Sequence, residues 1–276
     1  MQNYRIFDDH IEVSNEDFNI RHILECGQIF RFKERDFGYT LYTLSQKADV
    51  YCQKDCSKIY CKDKKYFINY FDLDTNYAKI KLDLKDKGDL SYEVNFGKGI
   101  RILKQNPLEM IISFIISANN NIPRIKQIIE KICENFGTKI GDYYAFPTLS
   151  QLDKISESDF RNLGCGYRSA YLVSTIKSLH DFDYMNLYSM DTLEAKQKLL
   201  ELKGIGNKVA DCILLFGYGK TDVFPTDTWI VKAYQEKYGD NLSNPKEISK
   251  FFTKLYGNLS GYAQQYMFYA KRENKE

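Results

Sequence analysis

The hydrophobic pattern of this chain changes period near residue 100, and that change limits the fold more than any other feature. Before it, apolar and polar residues alternate. Gln28-Ile-Phe-Arg-Phe-Lys33, Tyr39-Thr-Leu-Tyr-Thr-Leu44 and Ile59-Tyr-Cys-Lys62 each read as a strand, with polar or Gly-containing turns between them. A period of two puts one set of side chains on each face of a sheet, so residues 1–95 predict an antiparallel sheet with one wet face. After the change the period is that of a helix. Asn106-Pro107-Leu108-Glu109 offers an N-cap, a proline at the first helical position and an acid in the first turn. Ile125, Ile128, Ile129, Ile132 and Phe136 form a stripe that Gly137 closes. Ser156 to Asp159 and Asp191 to Glu194 resemble capping boxes, and Asn244-Pro245 opens a helix with Ile248, Phe251, Phe252 and Leu255 on one side. The expected class is α+β, with an N-terminal antiparallel β-sheet domain over residues 1–100 and a mostly α-helical domain over 101–276.

Composition narrows the function classes. Apolar residues make up 43% of the 276, too many for a disordered chain. Lys and Arg number 39 against 37 Asp and Glu, a net charge of +2, so any nucleic-acid contact must be a narrow stripe on a near-neutral protein. The start, Met1-Gln-Asn-Tyr-Arg5, lacks the apolar centre of a signal peptide. The longest apolar stretch, Met110 to Ala118, is about half of the ~20 residues that span a bilayer, so no membrane partner is expected. Seven cysteines without a secretion signal predict free thiols in a reducing cytoplasm. Cys52, Cys56 and Cys61 have no nearby histidine, which favours packing or free thiols over a zinc site.

The informative segment is Leu202-Lys-Gly-Ile-Gly-Asn-Lys208-Val-Ala-Asp-Cys-Ile213. A helix over about 192–202 meets a short hairpin, and a second helix starts near Asn207. Gly204 and Gly206 allow the backbone to approach a ligand closely, and the free N–H groups of the second helix favour an anion such as a DNA phosphate. Taken alone, Gly-x-Gly equally fits an ordinary turn between helices. Lys208 lies in the first turn, among apolar residues. Desolvation and the positive end of the helix dipole both disfavour its ammonium, and a neutral amine is a nucleophile able to form a Schiff base. The bland alternative is a lysine that snorkels to water.

Nineteen residues after Lys208 comes Asp227, in Val-Phe-Pro-Thr-Asp. Together these segments resemble the helix-hairpin-helix DNA glycosylases with a Gly/Pro-rich loop and an aspartate. Within that superfamily the chain is most similar to the bifunctional 8-oxoguanine DNA glycosylases, with separated segments agreeing in order from Gly27 to Phe268. The resemblance implies that Lys208 attacks C1′ of the damaged nucleotide and that Asp227 stabilises the developing positive charge. It implies a pocket for the flipped base. There Gly27 would accept the N7–H that 8-oxoguanine has and guanine lacks, Gln264 would read the base edge, and Phe268 and Cys212 would pack on the two ring faces. Gln264 and Phe268, at i and i+4, share one helical face. The resemblance also assigns Asn119 to the gap left in the stack, Arg124 and Arg168 to the orphaned cytosine, and Tyr167 to an aromatic wedge. Trp229 departs from the family pattern, which often has histidine two residues after the aspartate; a phosphate contact there is replaced by an indole that can stack or donate.

No cofactor is expected. The last cysteine is Cys212, so the C-terminal iron–sulfur cluster of related glycosylases has no ligands here. The hairpin carbonyls are a place for a structural cation. The expected partner is damaged double-stranded DNA, a monomer suffices, and a bacterial copy would be cytoplasmic and nucleoid-associated. The rival readings are a monofunctional alkyl-base glycosylase, which keeps the aspartate and lacks the lysine, and a non-catalytic hairpin DNA-binding module, which has no use for Lys208, Asp227 and Gln264 together.

Overall fold

The computed structural model describes residues 3–239 and 241–274. Six strands, β1 (Tyr4–Ile6), β2 (Ile11–Ser14), β3 (Phe32–Arg35), β4 (Gly38–Thr43), β5 (Gln46–Cys52) and β6 (Cys56–Cys61), form one antiparallel sheet in the order β1-β2-β6-β5-β4-β3. Its register sets Leu41 opposite Ala48, Val50 opposite Ile59 and Ile59 opposite Ile11. One face is therefore a continuous apolar surface, buried under Phe18, Ile23, Phe67 and Phe71. The other face is wet over β2, β5 and β6, as the alternation predicts, but not over β4. There Thr40 and Tyr42 are buried as well: the small hairpin of β7 (Lys139–Ile140) and β8 (Tyr143–Tyr144) brings the Tyr143 ring 5.2 Å from Tyr42, and the Thr40 hydroxyl donates to Asp49 (2.6 Å).

The sheet is shorter than its sequence pattern implies. Helix α1 (Ile20–Glu25) interrupts it, and past Cys61 the chain forms α2 (Lys64–Tyr70), α3 (Tyr77–Gly88) and α4 (Ser91–Phe96). The cause is local. Asn19, Asp63 and Asn76 read in sequence as turn residues, but each caps a helix, accepting from the N–H of His22, Tyr66 and Lys79. Nor is Gln28–Arg31 a strand. Gln28 is buried, donates to the carbonyls of Ile23 and Arg101, and accepts from the Leu103 N–H, so it ties this segment to two others.

The rest is helical: α5 (Pro107–Ser117), α6 (Ile122–Phe136), α7 (Leu149–Leu152), α8 (Glu157–Asn162), α9 (Arg168–Ser178), α10 (Thr192–Leu200), α11 (Asn207–Tyr218), α12 (Thr228–Tyr238), α13 (Pro245–Tyr256) and α14 (Ser260–Glu273). The expected caps are present at Asn106, Ser156, Asp191 and Asn244. Helix α5 is buried all round and packs on α11, with Phe114 stacked 5.5 Å from Phe216, which accounts for the apolar stretch noted above. Among the described residues no helix is long and apolar enough to cross a membrane.

Three apolar clusters organise the molecule. One lies under the sheet. A second fills the helices between Ile102 and Val223. The third joins α3 and α4 to α12–α14, so the chain returns at its end to the segment just before residue 100. Polar ties lock the sheet to the second cluster. Buried Arg31 donates to Glu130 (2.8 Å) and to the Tyr144 carbonyl (2.7 Å), and buried Glu109 accepts from the Leu44 N–H (3.0 Å).

Candidate active site

The hairpin forms as expected, and its two glycines do different work. Gly204 has φ +89°, and a Cβ there would come within 2.7 Å of the Tyr171 Cβ, so both backbone and packing exclude a side chain. Gly206 is the N-cap of α11 with ordinary φ, and a Cβ there would meet nothing. It lies exposed, which keeps the first N–H groups of α11 open to an anion. The Thr175 hydroxyl donates to the Lys203 carbonyl (2.7 Å), while the Gly204 and Ile205 carbonyls carry no hydrogen bond among the described residues.

Lys208, one residue into α11, is half-buried, and its Nζ sits 5.4 Å from the centre of the Phe114 ring. One turn on, Cys212 is buried, and its thiol is pushed up to about 11 by that burial. The positive charge of Lys208, one turn earlier on α11, pulls the thiol the other way, while the Asp211 and Asp227 charges reinforce the rise. Asp227 caps α12: Oδ1 accepts from the N–H of Trp229 and of Ile230, both at 3.0 Å. Its second oxygen makes no hydrogen bond among the described residues, so one carboxylate oxygen is fixed by the helix and the other is available.

The base-pocket residues come together from opposite ends of the chain. Gly27 has φ +80°, and a Cβ there would lie 3.0 Å from Phe268 Cε1. Phe268 is half-buried on α14, and Gln264 is buried one turn earlier on the same face, with Oε1 accepting from Gln265 (2.7 Å). Gly27 also lines a cavity of about 760 Å³ between α1, β3 and the start of α6.

Asn119, Arg124, Tyr167 and Arg168 form a second group. Asn119 is exposed with φ +50°, in the turn between α5 and α6, and Asn121 caps α6. Arg124 is exposed and reaches the Gly164 carbonyl (3.3 Å), and Tyr167 is 51% exposed. Arg168 is different. It is buried at 6% exposure, its Nε donates to the Ala118 carbonyl and its Nη2 to the Asn119 carbonyl, both at 2.7 Å. The resemblance assigns both arginines to the orphaned cytosine; Arg124 is exposed, whereas the Arg168 guanidinium holds the turn that presents Asn119.

Some neighbours escape sequence reading. Phe114 faces Lys208 only through tertiary packing. Buried Asp211 pairs with Lys196 at 2.6 Å, joining α11 to α10. Arg272 packs on Phe268 with its Cζ 5.2 Å from the ring centre. Its signal was present, since Gln264, Phe268 and Arg272 continue one i, i+4 series. Trp229 is 38% exposed beside Asp227, with Lys232 Nζ 5.4 Å from its ring. Among the described residues no group of three or more His, Cys, Asp and Glu is placed to hold a metal ion; Cys52 and Cys61 sit at opposite ends of the β5–β6 ladder.

Residues 10–111 match the N-terminal domain of 8-oxoguanine DNA glycosylase, and residues 112–257 match the HhH-GPD superfamily of base excision DNA repair proteins. A probable N-glycosylase/DNA lyase of Methanothermobacter thermautotrophicus is 33% identical, over 72% of this chain and 71% of its own length. The Arabidopsis thaliana N-glycosylase/DNA lyase OGG1 is 27% identical, over 95% of this chain and 79% of its own. The Clostridium acetobutylicum 8-oxoguanine glycosylase/lyase, in complex with double-stranded DNA containing cytosine opposite 8-oxoguanine, superposes with a TM-score of 0.94 at 37% identity, covering 100% of both chains. With the hairpin lysine, the capping aspartate and the Gly27–Phe268 contact in agreement with these matches, this chain belongs to the HhH-GPD superfamily of DNA glycosylases, in its 8-oxoguanine glycosylase/lyase branch.

Proposed function

We propose that this protein removes 8-oxoguanine, preferably opposite cytosine, from duplex DNA and then nicks the strand at the abasic site. The placement of Lys208 in the first turn of α11 against the Phe114 ring, with Asp227 capping α12 through one oxygen only, carries the reading. Names of relatives and the lesion-containing complex of the Clostridium protein support the substrate.

In this mechanism the Lys208 amine attacks C1′ of the flipped nucleotide, the C1′–N9 bond breaks, and the base leaves with its electron pair. Asp227 stabilises the positive charge that builds on the sugar, using the oxygen that does not cap α12, and takes up the proton Nζ sheds. Ring opening gives an imine between Nζ and C1′, and loss of a C2′ proton expels the 3′ phosphate. Gly27, Phe268, Gln264 and Cys212 hold the base, and Asn119, Arg124, Tyr167 and Arg168 hold the opposite strand, Arg168 by way of the turn it supports. A cation shared between a DNA phosphate and the Gly204 and Ile205 carbonyls would be structural, since no step runs through it. One copy of the chain supplies every group named, and the seven free cysteines suit a reducing compartment that contains DNA.

Borohydride trapping tests the reading. A covalent adduct with an 8-oxoguanine·cytosine duplex, absent with undamaged DNA and absent for Lys208→Gln, is the expected result. Base release without an adduct would instead identify a monofunctional enzyme that uses water.

A further inference from the structure

Arg272 is the third residue of the stripe that carries Gln264 and Phe268, and its surroundings are unusual for an arginine. The guanidinium packs on Phe268. Nη2 donates to the Glu25 carbonyl at the end of α1, two residues before Gly27, and Nε donates to Glu273 at 2.8 Å. Nη1 is buried and has no hydrogen-bond partner among the described residues. It lies 3.5 Å from where a Cβ of Gly27 would be, and Arg272 and Gly27 line the same cavity. A buried charged donor without an acceptor is costly, so its retention calls for an explanation, and a ligand that accepts from it is one.

The lesion can supply that partner. Along one edge, 8-oxoguanine presents C6=O, N7–H and C8=O in a row: a donor flanked by two acceptors. The Gly27 carbonyl is the proposed acceptor for N7–H, so an N–H donor beside Gly27 complements a flanking carbonyl. We infer that Arg272 is a specificity-determining residue whose Nη1 donates to a carbonyl oxygen next to N7 of the oxidised purine. This rests on the substrate reading above and extends it, because an acceptor and a donor side by side read two atoms of the lesion edge where Gly27 alone reads one. The same guanidinium, held by Glu25 and Glu273, fixes Phe268 against Gly27.

The test separates base recognition from chemistry. Arg272→Met keeps the length and apolar packing of the side chain and removes its donors. Single-turnover base release from an 8-oxoguanine·cytosine duplex is expected to fall ~10–100-fold, the range for losing a hydrogen bond from a charged group. Strand nicking at a preformed abasic site, which needs Lys208 but contains no base, should stay within about twofold, as uniform losses mark damage to shared steps. Arg272→Lys, with charge but no planar fork, should fall between. An 8-oxoadenine duplex, which lacks the C6 carbonyl, identifies the oxygen: an unchanged Arg272 effect there assigns O8, and a lost effect assigns O6. Equal losses in release and nicking, or wild-type release by Arg272→Met, overturn the inference. A wild-type protein that nicks abasic DNA but leaves 8-oxoguanine in place overturns the substrate reading itself.

Discussion

The start of α11 and the turn at Asn119 are both polar clusters, but they are built in opposite ways. At α11 the reactive groups are left partly unused. Lys208 has an aromatic ring and a thiol for neighbours, and Asp227 keeps one oxygen free while the other caps a helix. At the Asn119 turn the main cation is consumed by the fold: Arg168 is buried with its guanidinium on the Ala118 and Asn119 carbonyls. The difference suits the tasks proposed for the two regions. A nucleophile must be free to form a bond, whereas a side chain that fills a gap in the base stack must be held in place before DNA arrives, because ordering it on binding would cost affinity. The φ of +50° at Asn119 is part of that arrangement, since the left-handed region is disfavoured for most residues and tolerated by asparagine.

This contrast can be broken by mutation. The largest effect is expected from Lys208→Gln, with turnover falling by about 10³-fold or more and DNA affinity, read by fluorescence anisotropy, little changed. Asp227 comes next, because its two oxygens have separable duties. Asp227→Asn keeps the cap and loses the charge, so kcat should drop ~10²-fold with little change in melting temperature. Asp227→Ala loses both and should destabilise the protein by about 1 kcal/mol more than the asparagine variant in urea denaturation. If the two variants melt alike, the cap is not supporting α12.

The two arginines sharpen the comparison. Arg168→Met strands two carbonyls and should cost ~1–3 kcal/mol of stability together with opposite-base preference. Arg124→Ala, at an exposed position, should change stability by less than about 0.5 kcal/mol yet relax the preference for cytosine ~10-fold or more. A stability loss at Arg124 equal to that at Arg168 would erase the distinction.

The smallest effect concerns pH. Burial, with help from Arg21 and Lys98, lowers the His22 imidazole to about 4 from an ordinary 6.5. Between those values the unfolded chain binds more protons than the folded one, so stability rises with pH. The His22 contribution is complete above pH 6.5 and is lost as the pH falls through 4. His22 packs on Tyr269 of α14, so acid should loosen α1 beside the Gly27 slot. Urea midpoints from pH 7 to 4 should fall less steeply in His22→Gln; an identical slope would remove His22 as the source.

Features legible in the sequence were those whose partners lie within a turn or two. The caps at Asn106, Ser156 and Asn244, the hairpin, and the single face of Gln264 and Phe268 depend on spacing alone. Local reading failed where a residue type has two uses. Asn19, Asp63 and Asn76 serve turns and helix caps equally well, and the choice of helix followed from burying Ile23, Phe67 and Ile80 against other segments. For Arg168 the sequence carries only its resemblance to a cytosine-facing residue, because nothing nearby in the chain names the carbonyls it holds.

By itself, then, the sequence determined the change from sheet to helices, the hairpin with Lys208 at the head of α11, and Asp227 at the head of α12, because hydrogen-bond geometry over three or four residues sets all of them. Only the tertiary structure decided that α14 returns to meet Gly27, that Phe114 faces Lys208, that Arg168 supports the Asn119 turn, and that Arg272 keeps a buried donor without a partner among the described residues. Those pairings join residues far apart in the chain, and the burial of three apolar clusters, which carries no local signature, selects them.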